Sequence, residues 1–136
     1  MRATLLLIAL AAAIAPEPAA ASASCRALRV PLTQGIRAAE AARVTREAGQ
    51  RTRPADVSLV QAEGPWRLVW ATPAQAERGV FFFRLGRDRR YRLIDTWGGV
   101  IQPSERAETI AWARARAMGP PPRLAACFAD ALLAGR

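Results

Sequence analysis

The sheet of this protein is predicted from residues 57–97, which read VSLVQAEGPWRLVWATPAQAERGVFFFRLGRDRRYRLIDTW. They contain four short runs rich in β-branched and aromatic residues, separated by segments containing glycine, proline or aspartate, which is the pattern of short β-strands and turns. The predicted strands are Val57–Gln61, Trp66–Ala71, Val80–Leu85 and Tyr91–Trp97. Their spacing predicts an antiparallel meander of four strands.

A register for this meander follows from opposing Gln61 to Trp66, Trp66 to Leu85, and Leu85 to Tyr91, because directly opposed residues share a face. One face is then apolar and is expected to be covered by helices. Its members are Val57, Leu59, Trp66, Leu68, Trp70, Phe81, Phe83, Leu85, Tyr91 and Leu93. Trp70 and Phe83 are therefore expected in the core.

The same register gives the other face two rows of side chains. Arg67, Arg84 and Arg92 form the first row, and three like charges side by side are unfavourable unless something compensates them. Guanidinium groups form paired hydrogen bonds with carboxylate or phosphate, so this row is a candidate anion-binding site. The alternative is an ordinary solvated sheet face. The second row, Val69, Phe82 and Ile94, is a candidate surface for binding another protein.

Three helices are predicted around the sheet. Thr33 is placed to cap a helix that runs to about Ala48 and stops at Gly49. A second helix opens at Pro103 and Ser104 and is stopped by Gly119-Pro120, and a third follows Pro121-Pro122 with Cys127 on its apolar stripe. The predicted fold is therefore α+β: a four-stranded antiparallel meander with an N-terminal helix and two C-terminal helices on one face.

The N-terminus has the pattern of a secretory signal peptide. A short positive segment precedes the apolar run Leu5–Ala15, and Ala21-Ser22-Ala23 is a small-x-small cleavage motif. Residues 1–23 are thus predicted to be a signal peptide and residues 24–136 a single domain, which is exported to the periplasm or secreted. The apolar run is shorter than the ~20 residues that a bilayer core requires, so no integral span is expected in the mature chain.

Two cysteines, Cys25 and Cys127, are the only ones in the sequence. An even number of cysteines in an exported domain predicts a disulfide bond between them. The alternative makes Cys25 the lipid-bearing first residue of a lipoprotein. Such sites usually carry leucine three residues before the cysteine, where this chain has Ser22, and Cys127 would then be left unpaired.

Charge is the strongest compositional feature, with 20 basic residues, 11 acidic residues and a net charge of +9. All the basic residues are arginine, and there is no lysine. A basic exported protein is attracted to anionic surfaces, so the expected partners are anionic envelope components or another exported protein, with no nucleic acid.

Catalytic and metal-binding motifs are missing from the sequence. It contains no histidine, its cysteines lack metal-site spacing, and Gly98-Gly99 is a turn rather than a phosphate-binding loop. We therefore expect no cofactor, no metal and no catalytic residue, and the first functional hypothesis is a non-enzymatic envelope protein that binds an anionic partner. The alternatives are a small periplasmic hydrolase that uses Asp95 with Glu105 or Glu108, and an inhibitor or structural module that binds a protein.

Four segments also carry a resemblance: Trp66-Arg-Leu-Val-Trp70, Val80-Phe-Phe-Phe-Arg84, Tyr91-Arg-Leu-Ile-Asp95 and Pro122-Arg-Leu-Ala-Ala-Cys127. A Trp-led hairpin, a central Phe strand, a strand ending in Val/Ile-Asp and a late helix with cysteine resemble small exported bacterial proteins of unassigned function. The resemblance implies an α+β fold and export, and it implies no activity. Those proteins often carry further cysteines, whereas this chain has two.

Overall fold

The structure, a computed structural model, describes residues 24–115 and 119–135. The predicted signal peptide, residues 1–23, lies outside the described residues. Within the described ranges, no helix combines the length and the apolar character needed to cross a membrane.

The elements lie close to the predicted positions. In chain order they are α1 (Gln34–Ala48), β1 (Val57–Glu63), β2 (Trp66–Ala71), β3 (Gly79–Leu85), β4 (Tyr91–Gly98), α2 (Arg106–Ala115) and α3 (Pro122–Leu133). The four strands form one antiparallel sheet in the order β1-β2-β3-β4. The α+β class and the meander are therefore confirmed.

The register differs from the predicted one in the first two strand pairs and, beyond a bulge between Phe82 and Phe83, in the third pair as well. Glu63 opposes Trp66 across a two-residue turn, and Gly64 takes a φ of +55°, as the favoured two-residue hairpin turns require. Trp66 opposes Arg84 rather than Leu85. This one-residue shift moves every side chain of β3 to the other face of the sheet relative to the prediction.

Both faces of the sheet are covered, which corrects the prediction that all helices share one face. Helix α1 packs on the first face, where its Ala41 and Val44 join a buried cluster from the strands. The strand members of this cluster are Val57, Val60, Val69, Ala71, Phe81 and Phe83. Strands β2 and β3 are consequently buried on both sides over most of their length.

The opposite face carries an aromatic cluster under α2 and α3. Phe128 of α3 lies at its centre, with its ring centroid 4.9 Å from that of Phe82, 5.9 Å from Trp97 and 6.1 Å from Trp70. Trp70 and Phe83 are both fully buried, which confirms them as core residues, but they lie on opposite faces.

Helix α1 has the caps that its sequence predicts. The Thr33 hydroxyl accepts a hydrogen bond from the backbone N–H of Ile36 at 3.2 Å, and Gly49 ends the helix in the left-handed conformation with a φ of 65°. Because Ala41 and Val44 of α1 pack into the buried cluster on one face of the sheet, the stability of this helix is coupled to the packing of the core.

Replacing Thr33 by alanine is expected to lower the free energy of unfolding by about 1 kcal/mol, because an N–H at the start of α1 loses its acceptor. Thr33→Ser keeps the hydroxyl and is the matched control. Urea denaturation of both variants measures the difference. If the alanine and serine variants have the same midpoint, Thr33 does not cap the helix in solution.

The N-terminal segment is joined to α3 and to the edge of the sheet. Cys25 and Cys127 form a disulfide bond with an S–S distance of 2.02 Å, which confirms the predicted pairing. A sulfur atom in this bond cannot also carry a thioether-linked lipid, so the structure contradicts the lipoprotein alternative. Next along the chain, Val30 N–H donates to Val60 and Ala62 N–H donates to Leu28, both at 2.9 Å, so this segment covers the edge of β1.

Candidate functional site

The structure separates the three arginines of the predicted row. Arg84 and Arg92 are direct partners across β3 and β4, as predicted. Arg67 opposes Phe83 and lies on the other face, under α1. The one-residue shift between β2 and β3 causes this separation, so a contiguous row of three arginines does not form.

Arg67 belongs instead to a buried cluster of charges. Its Nε donates to Oε1 of Glu40 at 2.6 Å, and Nε of Arg43 lies 3.1 Å from Oε2 of the same carboxylate. The Glu40 side chain is 1% exposed, and each arginine side chain is 16% exposed. One carboxylate therefore contacts two guanidinium groups between α1 and the sheet and neutralises only one of their two charges.

Arg43 extends from this cluster toward the surface. Its guanidinium carbon lies 4.2 Å from the centroid of the Tyr91 ring, within the range of a cation–π interaction. The pKa of Arg43 is lowered, chiefly because burial disfavours the charged form, and the adjacent Glu40 carboxylate offsets part of that effect. The two contacts fix the direction of the Arg43 side chain.

The turn between β3 and β4 is organised by Asp88. One carboxylate oxygen accepts from Arg90 N–H at 3.1 Å, and the other accepts from Nη2 of Arg92 at 2.8 Å. Gly86 N–H and Arg90 C=O close the turn at 2.8 Å, and Arg89 takes a φ of 58°, which is uncommon outside glycine. Asp88 thus fixes the backbone that displays Arg89 and Arg90.

An open cleft of about 610 Å³ lies between the C-terminal half of α1 and the turn that joins β3 and β4, and we call it the basic cleft. Its lining consists of Arg43, Arg46, Glu47, Arg89, Arg90, Tyr91 and Arg92. Five arginines therefore face one glutamate.

The acidic residues near the basic cleft do not balance its charge. Glu40 is paired with Arg43, Glu47 with Arg46, and Asp88 with Arg92. Arg89 and Arg90 have no acidic partner in the part of the chain that the structure describes. The basic cleft therefore offers at least two unneutralised guanidinium groups to an anion.

Of the three arginines in the predicted row, Arg92 alone lines the basic cleft, and the contribution of α1 was not predicted. Arg43 and Arg46 lie on α1, about forty residues before the turn, and only the packing of α1 on the sheet brings them together with it. The available signal was their spacing of three residues, which places both on one side of a helix.

The other predicted surfaces also differ from the structure. Val69 and Phe82 are fully buried on opposite faces, and Ile94 is 39% exposed, so the predicted apolar row does not exist. Its absence removes the surface on which the protein-binding alternative was based.

The acidic residues of the hydrolase alternative lie in the C-terminal half of β4 and at the start of α2. Glu105 and Glu108 line a small pocket with Trp97 and Trp112, and Asp95 is not part of that lining. Oε2 of Glu105 accepts from Gln102 N–H at 2.5 Å and so caps its own turn. In the described ranges no group of three or more cysteine, aspartate or glutamate side chains could hold a metal ion.

Comparison with known proteins adds no relative to these observations. No family model, no curated protein and no solved structure matches this chain.

Proposed function

We propose that this chain is an exported, non-enzymatic protein that binds a phosphate-bearing polyanion of the cell envelope in the basic cleft. The observation that carries the proposal is the convergence of five arginines on one cleft, two of which have no acidic partner among the described residues.

The chemistry of the lining favours a ligand with several anionic oxygens. Arginine presents its N–H donors in a rigid fork that matches phosphate and carboxylate, and hydrogen bonds between ionised groups are about twice as strong as neutral ones. The basic cleft is an open groove rather than a closed cavity, so a chain of phosphates or a lipid head group can lie along it.

The proposed location rests on two features. The first residues have the pattern of a signal peptide, and the domain contains a disulfide bond, which persists in oxidising compartments. In such a compartment the surplus of nine positive charges concentrates the protein near anionic surfaces. The basic cleft would then supply the specific contact that net charge alone does not.

A triple variant, Arg46→Gln with Arg89→Gln and Arg90→Gln, tests the proposal. We expect it to bind at least about tenfold more weakly, because three exposed ionic contacts of ~0.5–1 kcal/mol each are lost. Affinity is measured for soluble polyphosphate and for vesicles containing phosphatidylglycerol, each at two salt concentrations. Loss for polyphosphate alone would indicate a soluble polymer as the ligand, and loss for vesicles as well would indicate a lipid head group.

The matched control is Arg26→Gln with Arg29→Gln and Arg51→Gln, since these exposed arginines lie outside the lining of the basic cleft. Both variants remove three positive charges. We expect the control to lose no more than about threefold at moderate salt, where separated surface charges are screened. Equal losses in the two variants would show that only net charge matters and would refute a site in the basic cleft.

A further inference from the structure

A second pocket, of about 170 Å³, lies where β4 ends and α2 begins. Its lining is Trp97, Val100, Ile101, Glu105, Glu108, Thr109 and Trp112, none of which belongs to the basic cleft. We call it the tryptophan pocket. In a chain with a net charge of +9, this lining contains two carboxylates and no arginine.

The walls of the tryptophan pocket are two indole rings. Trp97 and Trp112 are half-buried, and their centroids lie 4.7 Å apart in an edge-to-face arrangement. Trp112 packs on the fully buried ring of Phe82 at 5.6 Å, and Trp97 packs on Phe128 at 5.9 Å. The walls are therefore fixed by the core before any ligand arrives.

Tryptophan is the best aromatic partner for a cation, because the faces of its π-system carry negative potential. The carboxylates add to this potential. The start of α2 contributes the opposite sign, equivalent to about half a positive charge, which two carboxylates outweigh. Glu105 accepts the hydrogen bond from Gln102, whereas Glu108 is exposed and has no ion pair among the residues described. Glu108 is thus the carboxylate available to a ligand.

The remaining residues of the lining indicate which kind of cation fits the pocket. Val100, which is 72% exposed, and Ile101 are apolar, and the Thr109 hydroxyl already donates to the backbone oxygen of Glu105 at 2.9 Å. A guanidinium or primary ammonium group brings three or more N–H donors, of which those turned toward the indole rings, Val100 and Ile101 would find no acceptor, and burying unpaired donors is costly. A quaternary ammonium group has no N–H and presents methyl groups to the apolar wall.

We propose that the tryptophan pocket binds a quaternary ammonium group, held by the two indole rings and by the Glu108 carboxylate. This proposal is independent of the basic cleft. The group can come from a free solute such as choline or from a phosphocholine head group, and both present the same trimethylammonium end.

Titration with choline chloride, followed by the indole N–H signals in NMR spectra, tests this proposal. Trp66 and Trp70 are buried and do not line the pocket, so we expect the largest shifts for Trp97 and Trp112. The uncharged analogue 3,3-dimethyl-1-butanol has the same shape and is expected to bind about fivefold or more weakly, because it lacks the cation–π attraction. Glycerophosphocholine and phosphatidylcholine vesicles distinguish a free solute from a lipid head group.

The variant Glu108→Gln is expected to weaken choline binding about threefold, and Trp112→Phe to weaken it further, since phenylalanine is a poorer cation–π partner. Glu47→Gln, which removes a carboxylate of α1 on the opposite side of the sheet, is the control. The proposal is overturned if choline shifts neither indole, if the uncharged analogue binds equally well, or if methylguanidinium binds more tightly. The triple arginine variant of the basic cleft should leave choline binding unchanged.

Discussion

A variant with Cys25→Ala and Cys127→Ala is expected to lose about 4–5 kcal/mol of folding free energy, which is the largest expected change in the stability of this domain. The bond joins residues 102 positions apart, and in the chain-entropy model a loop of that length greatly restricts the unfolded chain. Native stability for a domain of this size is about 5–15 kcal/mol, so the variant is expected to be marginal.

Removal of the disulfide bond should also change amide exchange locally. Without the bond, the segment beside β1 is held by the backbone contacts of Leu28 and Val30 and by the buried Leu28 side chain. We expect the amide of Ala62, which donates to Leu28, to exchange faster than amides in β2. Release of the segment exposes the edge of β1, and exposed strand edges promote aggregation.

Urea denaturation of the wild-type protein with and without reductant provides the control. Reductant should lower the midpoint of the wild-type protein and leave that of the double alanine variant unchanged. If the variant loses less than about 1 kcal/mol of folding free energy, the disulfide bond does not stabilise the protein by restricting its unfolded chain.

The sequence was sufficient to predict the strands and the cap of α1, because each depends on a local pattern of residues. It was also sufficient to predict the disulfide bond, because the chain contains two cysteines. Coverage of both faces was not predicted, although a signal was present. Strands buried on two sides are continuous apolar runs rather than alternating ones, and Val80–Phe83 is such a run. The predicted register places Phe81 and Phe83 on an apolar face and their neighbours on the other face, although this segment does not alternate between apolar and polar residues.

The candidate site was harder to predict, because it depends on register. The connection of residues 72–78 between β2 and β3 is too long to fix the pairing, and one residue of shift placed Arg67 and Arg84 on opposite faces, with Arg67 on the face that α1 covers. In that position it requires a carboxylate, and Glu40 supplies one. Nothing local to Arg67 marks this distant partner, which only the packing of α1 brings within 2.6 Å.

Glu40→Gln is expected to destabilise the protein by about 3 kcal/mol, because removing one member of a buried ion cluster leaves its partners uncompensated. Glutamine keeps the size of the side chain and an oxygen for the N–H of Arg67, so the loss measures charge. Two guanidinium groups, each 16% exposed, would then face each other across an uncharged amide. Their partial contact with water screens the repulsion and keeps the loss at the lower end of the range for buried ion pairs.

The matched control is Glu47→Gln on the same helix, whose ion pair with Arg46 is at the surface and is expected to contribute less than about 0.5 kcal/mol. Adding Arg67→Met to Glu40→Gln removes one of the repelling charges and should restore part of the stability, so the two changes are expected to be non-additive. Urea denaturation of the single and double variants measures this coupling. If Glu40→Gln costs no more than Glu47→Gln, the cluster is not a buried charge network, and Glu40 does not hold Arg43 in place for the basic cleft.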